Sequence, residues 1–185
     1  MPRPIGQRLI AFLRAVNVGG RIVPMARLRD EFMALGFTDV ETFIASGNVI
    51  FTARAGATRT IETKIEARLQ QAFGFDVTTF VRTVDEVAAV AACQPFPPAE
   101  ITNGATVYVG FVEKPLDAAA ARAVMAFKTE ADDFRVKGRE VYWLRKTRQS
   151  DRPFKYVSLE KALKIRATFR GRNTIERLAA KHASS

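Results

Sequence analysis

Two groups of residues have types and spacings that could do chemistry. The first is Arg14, Asn17, Gly19, Gly20 and Arg21, joined from further along the chain by Ser46, Gly47 and Asn48. Glycines free backbone N–H groups to converge on one point, a helix opening at Pro24 adds the positive end of its dipole, and two guanidiniums add charge. The chemistry on offer is capture of a small anionic or phosphorylated ligand, with or without an enzymatic step. The conformational alternative stands beside it: a Gly-Gly pair supplies the positive φ angles of a tight turn, and Ser and Asn in turns bond their own backbone. The second group is Trp143, Arg145, Lys146, Arg148, Arg152, Lys155, Arg170 and Arg172. Cations interleaved with an aromatic suit a nucleic acid or another polyanion. Period-two alternation, however, sends at most half of a strand's side chains to one face.

Residue counts exclude other chemistries. Cys93 is the single cysteine and His182 the single histidine, three residues from the end of the 185-residue chain. A Cys/His zinc site needs ligands that this chain almost lacks, and a Ser-His-Asp or Cys-His arrangement needs a positioned histidine. No cofactor and no Cys/His-held metal is expected, while carboxylate chemistry or a carboxylate-held magnesium stays open. Cys93 follows the apolar run Val87 to Ala92 and reads as a buried, inert thiol. Asp30-Glu31 and Asp132-Asp133 are adjacent pairs whose members point in different directions, and they read as solvated surface or capping charges.

The formal net charge of +10 is concentrated in one segment. Residues 135 to 181 hold 15 Lys and Arg against 4 Asp and Glu, which leaves the remainder close to neutral. A field of one sign on one segment suits a polyanionic partner; solubility and salt bridges to the rest of the chain are the plainer reading. No apolar run approaches the roughly 20 residues of a membrane span, and the start Met1-Pro2-Arg3-Pro4 lacks the apolar stretch of a secretion signal. The expectation is a cytoplasmic protein with no membrane partner.

The elements that must position these groups follow from periodicity and breakers. Leu9–Val16 reads as a strand and Pro24–Leu35 as a helix with Met25, Leu28, Phe32 and Leu35 on one face. Val40–Ala45 and Val49–Thr52 form a hairpin about Ser46-Gly47-Asn48. Ile61, Ile65, Leu69 and Phe73 mark a helix closed by Gly74, Val77–Arg82 is a strand, and Val84–Cys93 a short helix before Pro95-Phe96-Pro97-Pro98. The second half repeats the order: strand Thr106–Val112, helix Leu116–Phe127, hairpin Phe134–Val136 and Glu140–Leu144, helix Phe154–Leu163 and short strand Ala167–Phe169. A last helix is capped by Asn173, with Glu176 completing an asparagine-type capping box. The fold class is α+β: a ferredoxin-like β-α-β-β-α-β half followed by a second, similar βαββα(β) half. Domain bounds are 1–94, a Pro-rich linker 95–104 and a basic 105–185. In this topology the first two strands run parallel, so the loop after one and the turn after the other leave the sheet at the same edge.

Four blocks carry a resemblance. Residues Phe12 to Gly20 (FLRAVNVGG), Val23 to Leu28 (VPMARL), Leu35 to Val40 (LGFTDV) and Ser46 to Phe51 (SGNVIF), in this order and spacing, resemble the bacterial family called domain of unknown function 1697. The resemblance continues through Gly138 to Tyr142 and Leu159 to Leu163. Where the family shows Arg-Asn-Trp-Asn-Thr, this chain has Arg170-Gly171-Arg172-Asn173-Thr174, an arginine in place of the tryptophan. The resemblance implies a ferredoxin-like α+β architecture and a bacterial cytosolic setting; it implies no activity, cofactor or catalytic residue. An RNA-recognition surface is a poor fit, since Phe12 and Phe51 sit outside any glycine-aromatic pattern of that module. Three functions stay open: polyanion binding through the basic segment, anionic-ligand binding at the Asn17–Gly20/Ser46–Asn48 edge, and pairing of two copies into a structural homodimer.

Overall fold

The computed structural model describes residues 6–44, 47–102, 104–146 and 155–182. Ser46, Arg148 and Arg152 of the candidate groups lie outside them. Strand β1 (Gly6–Leu13) is buried from Leu9 onward, as a central strand should be. It stops short of Val16 because Ala15 and Asn17 take left-handed φ angles of 62° and 58°. The Arg14 N–H still donates to Thr78 O at 2.8 Å, one rung beyond Leu13↔Thr79 in the pairing with the fourth strand.

Helix α1 (Met25–Ala34) starts behind Pro24, whose fixed φ suits a helix start, and turns Leu28 and Phe32 inward. The hairpin of β2 (Thr38–Thr42) and β3 (Asn48–Arg54) follows, then α2 (Thr58–Phe73), which ends at Gly74 with φ 77°. Strand β4 (Thr79–Thr83) and helix α3 (Val84–Ala92) complete the set. The sheet order is β2-β3-β1-β4, every neighbour antiparallel. Alternate strand residues Leu9, Ala11, Val49, Phe51 and Val81 pack with Leu28, Phe32, Ile61, Ile65 and Leu69 of the two helices. The Phe51 ring lies 5.3 Å from Phe32 and 4.6 Å from Phe37. Phe12 and Phe51 are both fully buried, so neither serves as a base-stacking platform.

After a 3-10 turn at Pro98–Glu100 the order recurs: β5 (Thr106–Val112), α4 (Ala118–Met125), β6 (Asp132–Lys137), β7 (Glu140–Arg145), α5 (Tyr156–Leu163), β8 (Ala167–Gly171) and α6 (Arg172–His182). The second sheet has the equivalent order β6-β7-β5-β8. Its core joins Val112, Phe134, Val141, Trp143 and Ala167 to Val124 and Leu159. The chain divides into two compact units, Met1–Val87 with His182–Ser185, and Ala88–Lys181. The Pro-rich stretch thus belongs to the second unit, and the boundary falls inside α3.

The two halves share more than element order. Strand β4 pairs with β1 from Leu9↔Thr83 to Leu13↔Thr79, and β8 pairs with β5 from Tyr108↔Gly171 to Val112↔Ala167. Each five-residue strand runs without a gap into a helix, so Thr83-Val84-Asp85-Glu86 occupies the place of Gly171-Arg172-Asn173-Thr174. Two details repeat at equivalent strand positions. A carboxylate from the preceding helix accepts the first strand N–H, Glu66 from Thr79 at 2.9 Å and Glu160 from Ala167 at 2.8 Å. Arg82 and Arg170, both buried, each donate to the carbonyl one residue before, at 3.0 Å.

Two expectations need correction. Asp132 and Asp133 are 2% and 1% exposed rather than solvated, because the start of β6 turns them toward donors: the Trp143 indole N–H donates to Asp132 at 2.6 Å, and Lys128 and Arg135 pair with Asp133 at 2.9 and 2.7 Å. The last helix starts at Arg172, not after Asn173, and Glu176 pairs with Arg172 Nε at 2.7 Å instead of reaching back to a capped N–H.

Candidate functional site

At the first unit's loop edge, the two expected segments meet. The Leu13 N–H donates to Gly47 O at 2.8 Å, tying the end of β1 to the β2–β3 turn. A side chain at Gly47 would be strained: its φ is 74° and a Cβ would stand 3.1 Å from Leu13 Cβ and 3.4 Å from Val16 Cβ. Gly19 and Gly20 also have positive φ, but a Cβ on either would meet nothing within 4 Å. The loop is closed on itself, since Asn17 Oδ1 accepts the Val23 N–H at 2.8 Å and the Asn17 N–H donates to Arg21 O at 2.9 Å. Asn48 is fully buried, and its amide donates to Phe43 O at 3.0 Å. Both asparagine side chains thus have local structural work. The Arg21 guanidinium lies over the Phe75 ring at 5.0 Å, and Arg14 is half-buried. Val18, Ile22 and Ile44 are exposed on the same two segments.

In the second unit the basic group separates by environment. Trp143 belongs to the core, stacked on Tyr108 at 4.7 Å and edge-on to Phe169 at 6.2 Å. Arg170 is 8% exposed and also donates to Thr168 Oγ1 at 2.8 Å. Arg145 and Lys146 are half-buried, Lys155 is exposed ahead of α5, and Arg172 is half-buried at the start of α6. Register brings Arg145, Lys146 and Arg172 to one end of the sheet. Arg145 stands opposite Thr106 at the start of β5, and Gly171 stands opposite Tyr108 two residues on. Arg145 and Arg172 are therefore separated by two strand spacings, about 10 Å.

A cleft of about 640 Å³ opens at the same sheet end, within the size range of small-molecule sites. Its apolar wall includes Phe96 and Ile101; its polar side is Gln94, Thr106, Arg172, Asn173 and Glu176. The Arg135 guanidinium lies over the buried Phe96 ring at 5.3 Å and is itself held by Asp133. Arg172 is fixed by Glu176 and by a 3.4 Å bond to Ala91 O. Beside it, the Tyr142 hydroxyl is held protonated well above its ordinary range, first by burial and then by its hydrogen bond with Cys93, which is half-buried rather than fully enclosed. Sequence reasoning missed Phe96, Ile101 and Thr106 because they lie about 70 residues from Arg172 and only the β5–β8 pairing brings them together. Asn173 and Glu176 were visible, but as helix-capping residues.

The sequence profile of the family described as protein of unknown function (DUF1697) matches residues 7–142. Among solved structures, the conserved bacterial protein SP0830 from Streptococcus pneumoniae is similar in fold, with a TM-score of 0.71 and 22% identity over 97% of this chain and 100% of that one. No curated protein matches the chain.

Proposed function

The chain belongs to the DUF1697 family of proteins of unknown function, and on that premise we propose that it binds a polyanion, nucleic acid first among them, at the basic end of its second sheet. The observation that carries this reading is the strand register, which puts Arg145, Lys146 and Arg172 at one end of the sheet. The concentration of positive charge in residues 135 to 181 supports it. Contact is electrostatic, through phosphates, because Trp143 is packed in the core and offers no stacking surface. Fluorescence anisotropy of short single- and double-stranded DNA and RNA at two salt concentrations tests the reading. The expected result is micromolar binding that weakens about tenfold or more at the higher salt and is lost in R145E/K146E. Binding that ignores salt, or survives the charge reversal, overturns it.

A second reading, a small anionic ligand at the first unit's loop edge, is favoured by the Leu13–Gly47 bond that joins the two segments. It places the ligand against Arg14, Gly19, Gly20 and Arg21, since the Asn17 and Asn48 side chains have local partners. A specific anion should then raise the melting temperature, and R21E should remove that rise.

A further inference from the structure

The cleft of the second unit is accounted for by neither reading, and the internal duplication says what fits it. At the equivalent place in the first unit the chain closes the corner with its own carboxylate. The Thr83 N–H donates to Glu86 Oε2 at 2.8 Å, the Glu86 N–H donates to Thr83 Oγ1 at 3.0 Å, and Asp85 and Glu86 lie in the first turn of α3. This reciprocal pair is a capping box. In the second unit Gly171, Arg172, Asn173 and Thr174 take the positions of Thr83, Val84, Asp85 and Glu86. Thr83's hydroxyl is gone, both carboxylates are gone, and the first turn of α6 holds no acid. Where the first unit has Glu86, the second has a cleft of about 640 Å³ whose polar side is the Arg172 guanidinium paired with Glu176, the amides of Gln94 and Asn173, and the Thr106 hydroxyl.

We propose that this cleft binds a small organic monocarboxylate, whose carboxylate takes at Gly171–Asn173 the place that Glu86 fills in the first unit. Its charge is set by the lining. Glu176 already balances Arg172 at 2.7 Å, so the charged lining is neutral and favours the single charge of a carboxylate at the helix start over the two of a phosphate monoester. Its body is set by the opposite wall. Ile101 stays 41% exposed at the mouth and Phe96 is held in the wall by Arg135, which leaves an apolar surface for an alkyl chain or a ring. This occupant differs from the polyanion proposed above, although Arg172 belongs to both sites.

The test uses the full chain with hexanoate and benzoate as probes, the neutral hexanamide and benzamide as their isosteres, and inorganic phosphate as the divalent control. Heteronuclear NMR titration reads the site residue by residue. The expected result is saturable shifts of the amides of Thr106, Val107 and Gly171 to Asn173 with the carboxylates, at least tenfold weaker binding of the amides, and no response to phosphate at these residues. Thr174→Glu restores the self-cap and should abolish carboxylate binding while leaving the melting temperature equal or higher. Ile101→Ser, at an exposed position, should weaken hexanoate several-fold without unfolding the chain. Equal binding of acid and amide, shifts at other residues, no binding, or an undiminished response in a folded T174E variant each overturns the proposal. A DNA-binding result of either sign leaves this outcome independent, because the outcome is read from the contrast between each carboxylate and its neutral amide, neither of which carries a phosphate.

Discussion

Gly47 and Gly19 share a backbone conformation but differ in what surrounds them, and the difference sorts scaffold from loop. An alanine at 47 adds contacts at 3.1 to 3.4 Å with Leu13 and Val16 to the strain of a positive φ, so G47A should destabilise the chain by about 2–4 kcal/mol. G19A carries only the φ term and should lose about 1 kcal/mol. Urea unfolding of the two variants checks the contrast. Asp133 makes a pH-dependent contribution. Burial opposes its charge, but Lys128, the Phe134 N–H and Arg135 outweigh that and hold its pKa below the ordinary aspartate value. Stability from this group is therefore present above about pH 4 and is lost as pH falls through the depressed value. D133N should destabilise by about 1–2 kcal/mol at pH 7, and its difference from the unmodified chain should shrink toward zero near pH 2, read as the urea midpoint. Because Arg135 also holds Phe96, the same variant should broaden the amide signals along the cleft wall. Neither role could be read from the sequence: adjacent aspartates look like surface charge until strand register shows what they face.

Among the elements, β4 shows how an edge strand is finished. Its outward N–H groups at Thr79, Val81 and Thr83 each meet a carboxylate, from Glu66, Glu62 and Glu86 at 2.9, 2.8 and 2.8 Å. Glu62 is itself buried; desolvation raises its pKa despite the Val81 N–H, Arg59 and Arg82. Its raised value means that this side chain stabilises the fold less as pH climbs above the ordinary glutamate range. Replacing Glu62 and Glu66 by alanine leaves two edge donors without carboxylate partners and should lower stability by about 2–4 kcal/mol. The same variant should self-associate in sedimentation velocity, because an uncovered edge templates strand pairing. Element existence was the most legible layer of the sequence. Apolar periodicity marked α1 and α2, Gly74 marked the helix end, and breakers marked both hairpins. Boundaries were less legible where backbone conformation and pairing decide them: β1 stops because Ala15 and Asn17 turn left-handed, although Arg14 still bonds Thr78 O, and β8 runs on to Gly171 because β5 continues beside it as far as Tyr108.

On the scale of the whole molecule, element order alone announced two α+β halves, and strand register turned that order into residue equivalence. Trp143 shows where composition misleads. An aromatic among cations has the chemistry of a nucleic-acid surface, yet alternation in β7 sends it inward to Tyr108 and Asp132 while Arg145 ends up two strands from Arg172. The cleft was not legible at all, because its walls come from opposite ends of the second unit's sequence. The described residues include no helix long and apolar enough to cross a membrane. The carboxylate seal on β4 has a consequence for how such a chain reaches its native state. Two sibling sheets of identical strand order, made in one polypeptide, are each other's nearest decoys during synthesis, each able to offer the other a strand in plausible register. Once α2 and α3 have docked, the first-made sheet presents oxygen instead of N–H along that edge, and the second half meets a surface that repels its carbonyls. The seal thus leaves the outward donors of β4 already engaged when a like strand from the second half could offer itself.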